Sequence, residues 1–273
     1  MPGLTTWSGA LHLSYRLVPP TPHLKTFMAA KNGATWEAIH AALPFDRERS
    51  EDPKAKPDSR RYRDPKQLYE TAGLLFQEDG RVWFTELGMA LKRFLPHITP
   101  ANVVLIGRHA ALTLASCQLR NPTDAGTKYD QRMNVFPFRF IWMAMLDLDL
   151  RINSDELNRA VFHVTNEDSL HEAISKIRES RRTGNLNVLG EETITGKGKD
   201  DRVIPLVSLA SFGWSLITDK RESPIEGYYS VRENCVRLLE AAILTPARHR
   251  EFASVREYAE HLSEAACLPK DLR

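Results

Sequence analysis

The sequence predicts a mainly α-helical α+β protein in which small β-hairpins punctuate two helical units. Three observations lead there. Apolar residues recur along most of the chain at the three- and four-residue spacing of a helix with one buried face. One short stretch, residues 74 to 84, breaks that spacing with two β-prone runs around Asp79-Gly80, a hairpin signal. A polar, turn-rich run, NPTDAGTKYDQRMN at 121–134, divides the chain in two.

Composition sets the bounds. The chain has 273 residues, 42% apolar and 26% charged, enough for one large core or two ordinary ones. A formal charge of +2 creates no global basic field, so any nucleic-acid site must be a local patch. The cysteines are 117, 235 and 267, odd in number and without a CxxC spacing. That argues against a disulfide framework and a zinc site, and fits a reducing cytoplasm. The N-terminus lacks a basic start followed by an apolar run, and Arg108 and His109 interrupt the apolar stretch 103–119. Neither secretion nor a membrane span is expected.

The first unit opens with Pro22 at a helix-start position and a helix over 23–31, stopped by Asn32-Gly33. Thr35 caps a short helix, 36–43, closed by Pro44. The stretch FDRERSEDPKAKPDSRRYR reads as a long polar loop. Asp64-Pro65 then signals the start of a helix over 66–72, with Gly73 as its stop. The hairpin follows, and Thr85 caps a helix over 86–94 whose Leu87, Ala90, Leu91 and Phe94 share an inner face. Helix, helix, helix, hairpin, helix is the order of a winged-helix domain.

The run ETAGLLFQEDGRVWFTELGMAL resembles the third-helix end, wing and exit helix of prokaryotic winged-helix DNA-binding proteins, in which a Gly-Leu-Leu strand leads into a hairpin ending in Thr-x-x-Gly. In that fold the third helix enters the major groove, and basic residues at its start, in the preceding loop and on the wing hold phosphates. Arg60, Arg61, Arg63 and Lys66 sit there, Tyr62 can stack or hydrogen-bond, Gln67 can read an adenine edge, and Arg81 lies on the wing. Acids in the same loop (Asp46, Glu48, Glu51, Asp52 and Asp58) leave a solvated, charge-balanced loop as the competing reading.

Residues 100–119 read as a mainly apolar helix packing the first unit against another part of the fold, with His109 a core or interface histidine rather than a ligand. The second unit starts with a buried helix over 137–148, whose Phe138, Ile141, Trp142, Met145 and Leu148 form a core face rather than a base pocket. Asn153 or Ser154 caps the next helix, and a third runs from about Asn166 or Asp168 to Arg182. On it, His171, Ser175, Lys176, Arg178, Arg181 and Arg182 form a second candidate DNA surface, although cations also favour a helix C-terminus. The following GNLNVLGEETITGKGKDDRVIP reads as a wing or flexible insertion, LVSLASFGWSLI as a core strand or short helix, and YYSVRENCVRLLEAAIL as strand then helix. An amphipathic helix closes the chain. The expected organisation is a winged-helix unit at 1–98, a connecting helix and linker at 99–134, and a second winged-helix-like unit at 135–273.

Two such units resemble the DNA-recognition region of type IIS restriction endonucleases of the FokI and AlwI kind. Those enzymes cut with a separate PD-(D/E)xK domain. Glu191, Glu192 and Lys197 are the nearest approach to one here, in a Gly-rich stretch without a strand to hold them around a metal. The resemblance implies recognition without cleavage, with no cofactor, double-stranded DNA as partner and any catalysis supplied by a separate protein. No nucleotide-binding, hydrolase or zinc-protease motif is present in the sequence. Two function classes remain. One is a sequence- or modification-specific DNA-recognition module of a restriction or anti-phage system, or a regulator. The other is a winged-helix docking subunit that never touches DNA.

Overall fold

A computed structural model describes residues 4–7, 27–41, 60–94, 97, 103–124, 126–193, 199–211 and 215–268. Much of the expected first helix and nearly all of the 45–63 loop lie outside those residues. The protein is of the α+β class, mainly helical with small antiparallel sheets.

In the first half, residues 27–29 are helical and Asn32-Gly33 forms the turn that ends them. Residues 33–35 meet the hairpin: Gly33 N donates to Val82 O (2.8 Å), Val82 N donates to Ala34 O (2.9 Å), and Thr35 bridges Arg81. Helices α1 (Trp36–Ala41) and α2 (Arg60–Thr71) follow, then strands β1 (Leu75–Glu78) and β2 (Arg81–Phe84) and helix α3 (Glu86–Phe94). Asp79 and Gly80 join the strands at φ 50° and 74°, the left-handed pair of a two-residue hairpin turn, a conformation that glycine adopts without strain.

The Thr-x-x-Gly signature has a mechanical origin. Thr85 Oγ1 donates to Gly73 O (2.7 Å) and accepts from Gly88 N (3.0 Å), tying the start of α3 to the end of α2. Gly88 lies so close that a Cβ there would stand 1.8 Å from Leu74 O.

Helix α4 (Val103–Ser116) leads to the second half: α5 (Pro137–Asp147), β3 (Arg151–Asn153), α6 (Ser154–Arg159), α7 (Glu167–Thr183), α8 (Lys199–Ala210), β4 (Ile217–Thr218), β5 (Tyr228–Val231) and α9 (Val236–Leu244). Asn153 and Glu156 form a reciprocal capping box on α6. The α5 aromatics are core: Phe138, Phe140 and Trp142 are buried, and Trp142 Nε1 donates to Ala210 O (3.0 Å).

The two halves share a wiring. In each, a segment that follows the first helix meets the second strand of a later hairpin, as strand β3 in the second half and as a single bridge in the first. The second half has the three-stranded order β3, β5, β4, whereas in the first half a two-stranded sheet of β1 and β2 is met by the isolated bridge of Thr35 to Arg81. Helix α8 packs on α5 and α6 and precedes β4 in the chain, as α2 precedes β1. The segment expected to be a wing or flexible insertion therefore ends as α8, while its residues 194–198 lie outside the described residues.

The chain ends cross over. The closing helix α10 (Val255–Ala265) packs on β1, α3 and α4 of the first half. Leu87 N donates to Ser263 Oγ (2.9 Å), and Tyr258 OH donates to Thr71 O (3.3 Å). His109 on α4, expected in the core or at an interface, donates from Nδ1 to Ala266 O (2.7 Å). At the other end, Trp7 Nε1 donates to Val164 O (2.7 Å) and its ring packs near Phe140 and Phe162 of the second half. Buried residues from Trp7 to Leu268 consequently form one continuous core.

Candidate nucleic-acid interface

Helix α2 begins at Arg60, one turn earlier than Asp64-Pro65 suggests. Proline cannot donate, but only the Arg61 carbonyl loses a helical partner, and at the first turns of a helix that loss is tolerable. Arg60, Arg61, Tyr62 and Arg63 thus occupy the first turn rather than a preceding loop, although their side chains lie outside the described part of the structure. No acid stands in that turn, so the partial positive charge of the helix N-terminus is undiminished there. Farther along, Gln67, Leu68, Tyr69, Glu70, Thr71 and Ala72 are all buried. That stretch offers no open face to a large ligand.

Two of the expected contacts are engaged inside the fold. Gln67 is 9% exposed and cannot reach a base edge. Lys66 turns inward: its Nζ donates to Gln77 Oε1 on the hairpin and lies 3.8 Å from Glu70. Burial pushes the Glu70 carboxyl up to about 7, with the Lys66 ammonium opposing the shift. Arg81 remains exposed on the hairpin, although Nη1 donates to Gly33 O (2.7 Å), which anchors the guanidinium beside the 33–35 segment.

The second expected surface divides. His171, Ser175 and Lys176 lie exposed on α7, and the Ser175 hydroxyl donates back to His171 O (2.9 Å). The arginines differ: Arg181 is largely buried in a clasp, whereas Arg178 and Arg182 stay exposed in surface ion pairs. Arg181 is 17% exposed; Nε and Nη2 grip Glu156 (2.7 and 3.0 Å), Nη1 donates to Leu148 O (2.8 Å), and Nη2 donates to Arg151 O (2.8 Å). Its guanidinium also stacks over Tyr228. Arg178 donates to Asp147 Oδ1 (2.6 Å), and Arg182 makes a two-pronged pair with Glu179. Asp149 and Leu150, between α5 and β3, adopt left-handed φ values of 57° and 62°. Such a corner is strained and persists only when its surroundings fix it; Arg178 and Arg181, both on α7, fix it through Asp147, Leu148 and Arg151. Sequence reasoning missed this because the partners lie 25 to 33 residues away.

The hairpin tip of the second half, 219–227 (DKRESPIEG), escaped notice because its strands are short. Arg221 is exposed on it, and the Asp219 carboxylate holds the turn by accepting from Arg221 N (2.9 Å). Arg202 lies in the first turns of the preceding helix α8. Among the described residues no group of three or more His, Cys, Asp or Glu could hold a metal, and no helix is long and apolar enough to cross a membrane. Glu192 is committed to Arg159 (2.8 Å), and Lys197 lies outside the described residues.

No protein-family model matches the chain, and no curated protein matches it. Among solved structures, it is similar to the BpuJ1 endonuclease binding domain, crystallised in complex with pyrene- and phenanthrene-modified DNA. The identity is 12% and the TM-score 0.49, covering 78% of this chain and 80% of that one. A likeness of that degree carries no argument about activity.

Proposed function

We propose that the protein is a DNA-recognition module that reads duplex DNA through two winged-helix-like heads. The observation that carries this reading is the end of α2: Arg60, Arg61 and Arg63 share its first turn, and the buried last six residues of the segment 60–72 offer a ligand no open face. Helix N-termini bearing arginines suit phosphate, and in helix-turn-helix folds that end of the reading helix approaches the bases. Tyr62 and Arg81 complete the first head. The repeated wiring supports assigning each half the winged-helix role, with 1–98 and 135–273 as the two heads and 99–134 joining them.

By the same wiring, the helix of the second head that corresponds to α2 is α8, with 219–227 as its wing. Arg202 and Arg221 then replace Arg178, Arg181 and Arg182 as phosphate contacts, while His171, Ser175 and Lys176 stay as outer contacts on α7. A recognition subunit of a restriction or anti-phage system, or a regulator, uses such heads, and cleavage falls to a separate protein. Changing Arg60, Arg61 and Arg63 together to Ala tests the reading. Duplex binding should weaken for every sequence, and the slope of log affinity against log salt should flatten by about 0.9 for each phosphate no longer neutralised. An unchanged slope would remove α2 from the interface. The rival reading, docking without DNA, draws on the inward engagement of Lys66 and Arg181.

A further inference from the structure

The hairpin has two faces of different character. Leu75, Gln77, Val82 and Phe84 point one way, and Phe76 and Trp83, which are register partners, point the other. Helix α10 covers half of this outer face: the Arg256 guanidinium lies over the Phe76 ring (5.5 Å to the centroid) and hydrogen-bonds Glu78 and Glu260. It leaves the other half open. Trp83 is 37% exposed and is the single aromatic among the exposed large hydrophobics of the described residues.

Beside it runs a groove of about 630 Å³ between the hairpin, the start of α3 and α10. Phe76 and Trp83 line its apolar part. Its polar rim carries Glu78, Glu86, Glu260 and Glu264 against the single cation Arg256, and that cation is already shared by Glu78 and Glu260. The groove is therefore acidic on a chain whose overall charge is slightly positive. Duplex phosphate would be repelled there. A segment presenting lysines or arginines beside an aliphatic residue is matched twice, by the glutamates in charge and by the indole in an apolar or cation-π contact.

We propose that this groove docks a basic, apolar-anchored segment of a partner protein. The site adjoins the wing residue Arg81, which shares the Trp83 face of the hairpin, but it does not rest on the DNA reading and survives its failure. Anisotropy of a labelled short peptide of alternating lysine and leucine, added to the full chain at low salt, measures it, with a matched glutamate-leucine peptide as control. The lysine peptide should bind and the glutamate peptide should not. Trp83→Ala, and separately Glu86→Gln with Glu264→Gln, should each weaken binding about tenfold. Trp83→Phe should retain most of the affinity, and none of these variants should shift DNA affinity by more than about twofold. Equal binding of both peptides, or wild-type affinity in the variants, would overturn the proposal. So would a loss of DNA affinity in Trp83→Ala, or a dimer in sedimentation velocity that Trp83→Ala dissolves, because the occupant would then be DNA or a second copy.

Discussion

Glu70 and Arg181 show how charged side chains that look available in the sequence are consumed by the fold. The Glu70 carboxyl, lifted by burial from an ordinary 4.5 to about 7, keeps its proton in the folded state where the unfolded chain has lost it. Folding thus takes up a proton between about pH 4.5 and 7. The stability from this group is fully present below that window, falls as pH rises through it and is level above it. Glu70→Gln should flatten that part of the stability profile and raise stability at pH 8 by about 1 to 3 kcal/mol, measured by urea melts at each pH. Arg181 behaves oppositely. Its removal strands Glu156, which is 3% exposed, so Arg181→Ala should cost about 3 kcal/mol or more. The same variant should leave the salt slope of DNA binding unchanged, which separates a clasp from a phosphate contact.

Among the elements, the most legible were those with local chemistry. Asp79-Gly80 fixes the hairpin, Asn153 and Glu156 cap α6, and Thr85 with Gly88 locks α3 to the end of α2. Each depends on residues within a few positions of one another. Gly88→Ala should accordingly lower the melting temperature, costing about 2 to 3 kcal/mol, because the added Cβ meets a backbone carbonyl that cannot yield. Helix α8 was only half legible: its end, from Leu206, read as a core strand or short helix, but its charged, Gly-flanked start read as a wing or insertion, and burial of Val203, Leu206 and Val207 against α5 and α6 decides for helix. The destination of α10 was equally hidden. Amphipathic spacing announces that a helix has a partner, but it does not say that the partner lies at the other end of the chain. At the candidate site, the Arg60–Arg63 cluster could be read from composition alone, whereas the inward turn of Lys66 depends on Gln77 across the hairpin.

At the scale of the molecule, the crossed ends bind the halves into one core. A chain ended after residue 252 loses Tyr258 and Leu262, both fully buried against the first half, at roughly 1.5 to 3 kcal/mol apiece. Calorimetry should show a single cooperative transition for the intact chain and none of native character for the shortened one. Two heads held in such a frame would meet DNA at a fixed separation, so their modest local charge would act in concert. The most direct test is the anisotropy of random-sequence duplex DNA, unmodified and cytosine-methylated, bound to the intact protein across a salt series. Recognition through arginine-phosphate contacts predicts binding that falls linearly in log affinity with log salt, with a slope that Arg60, Arg61 and Arg63 jointly set. Absence of binding at low salt, or binding indifferent to salt, would contradict it.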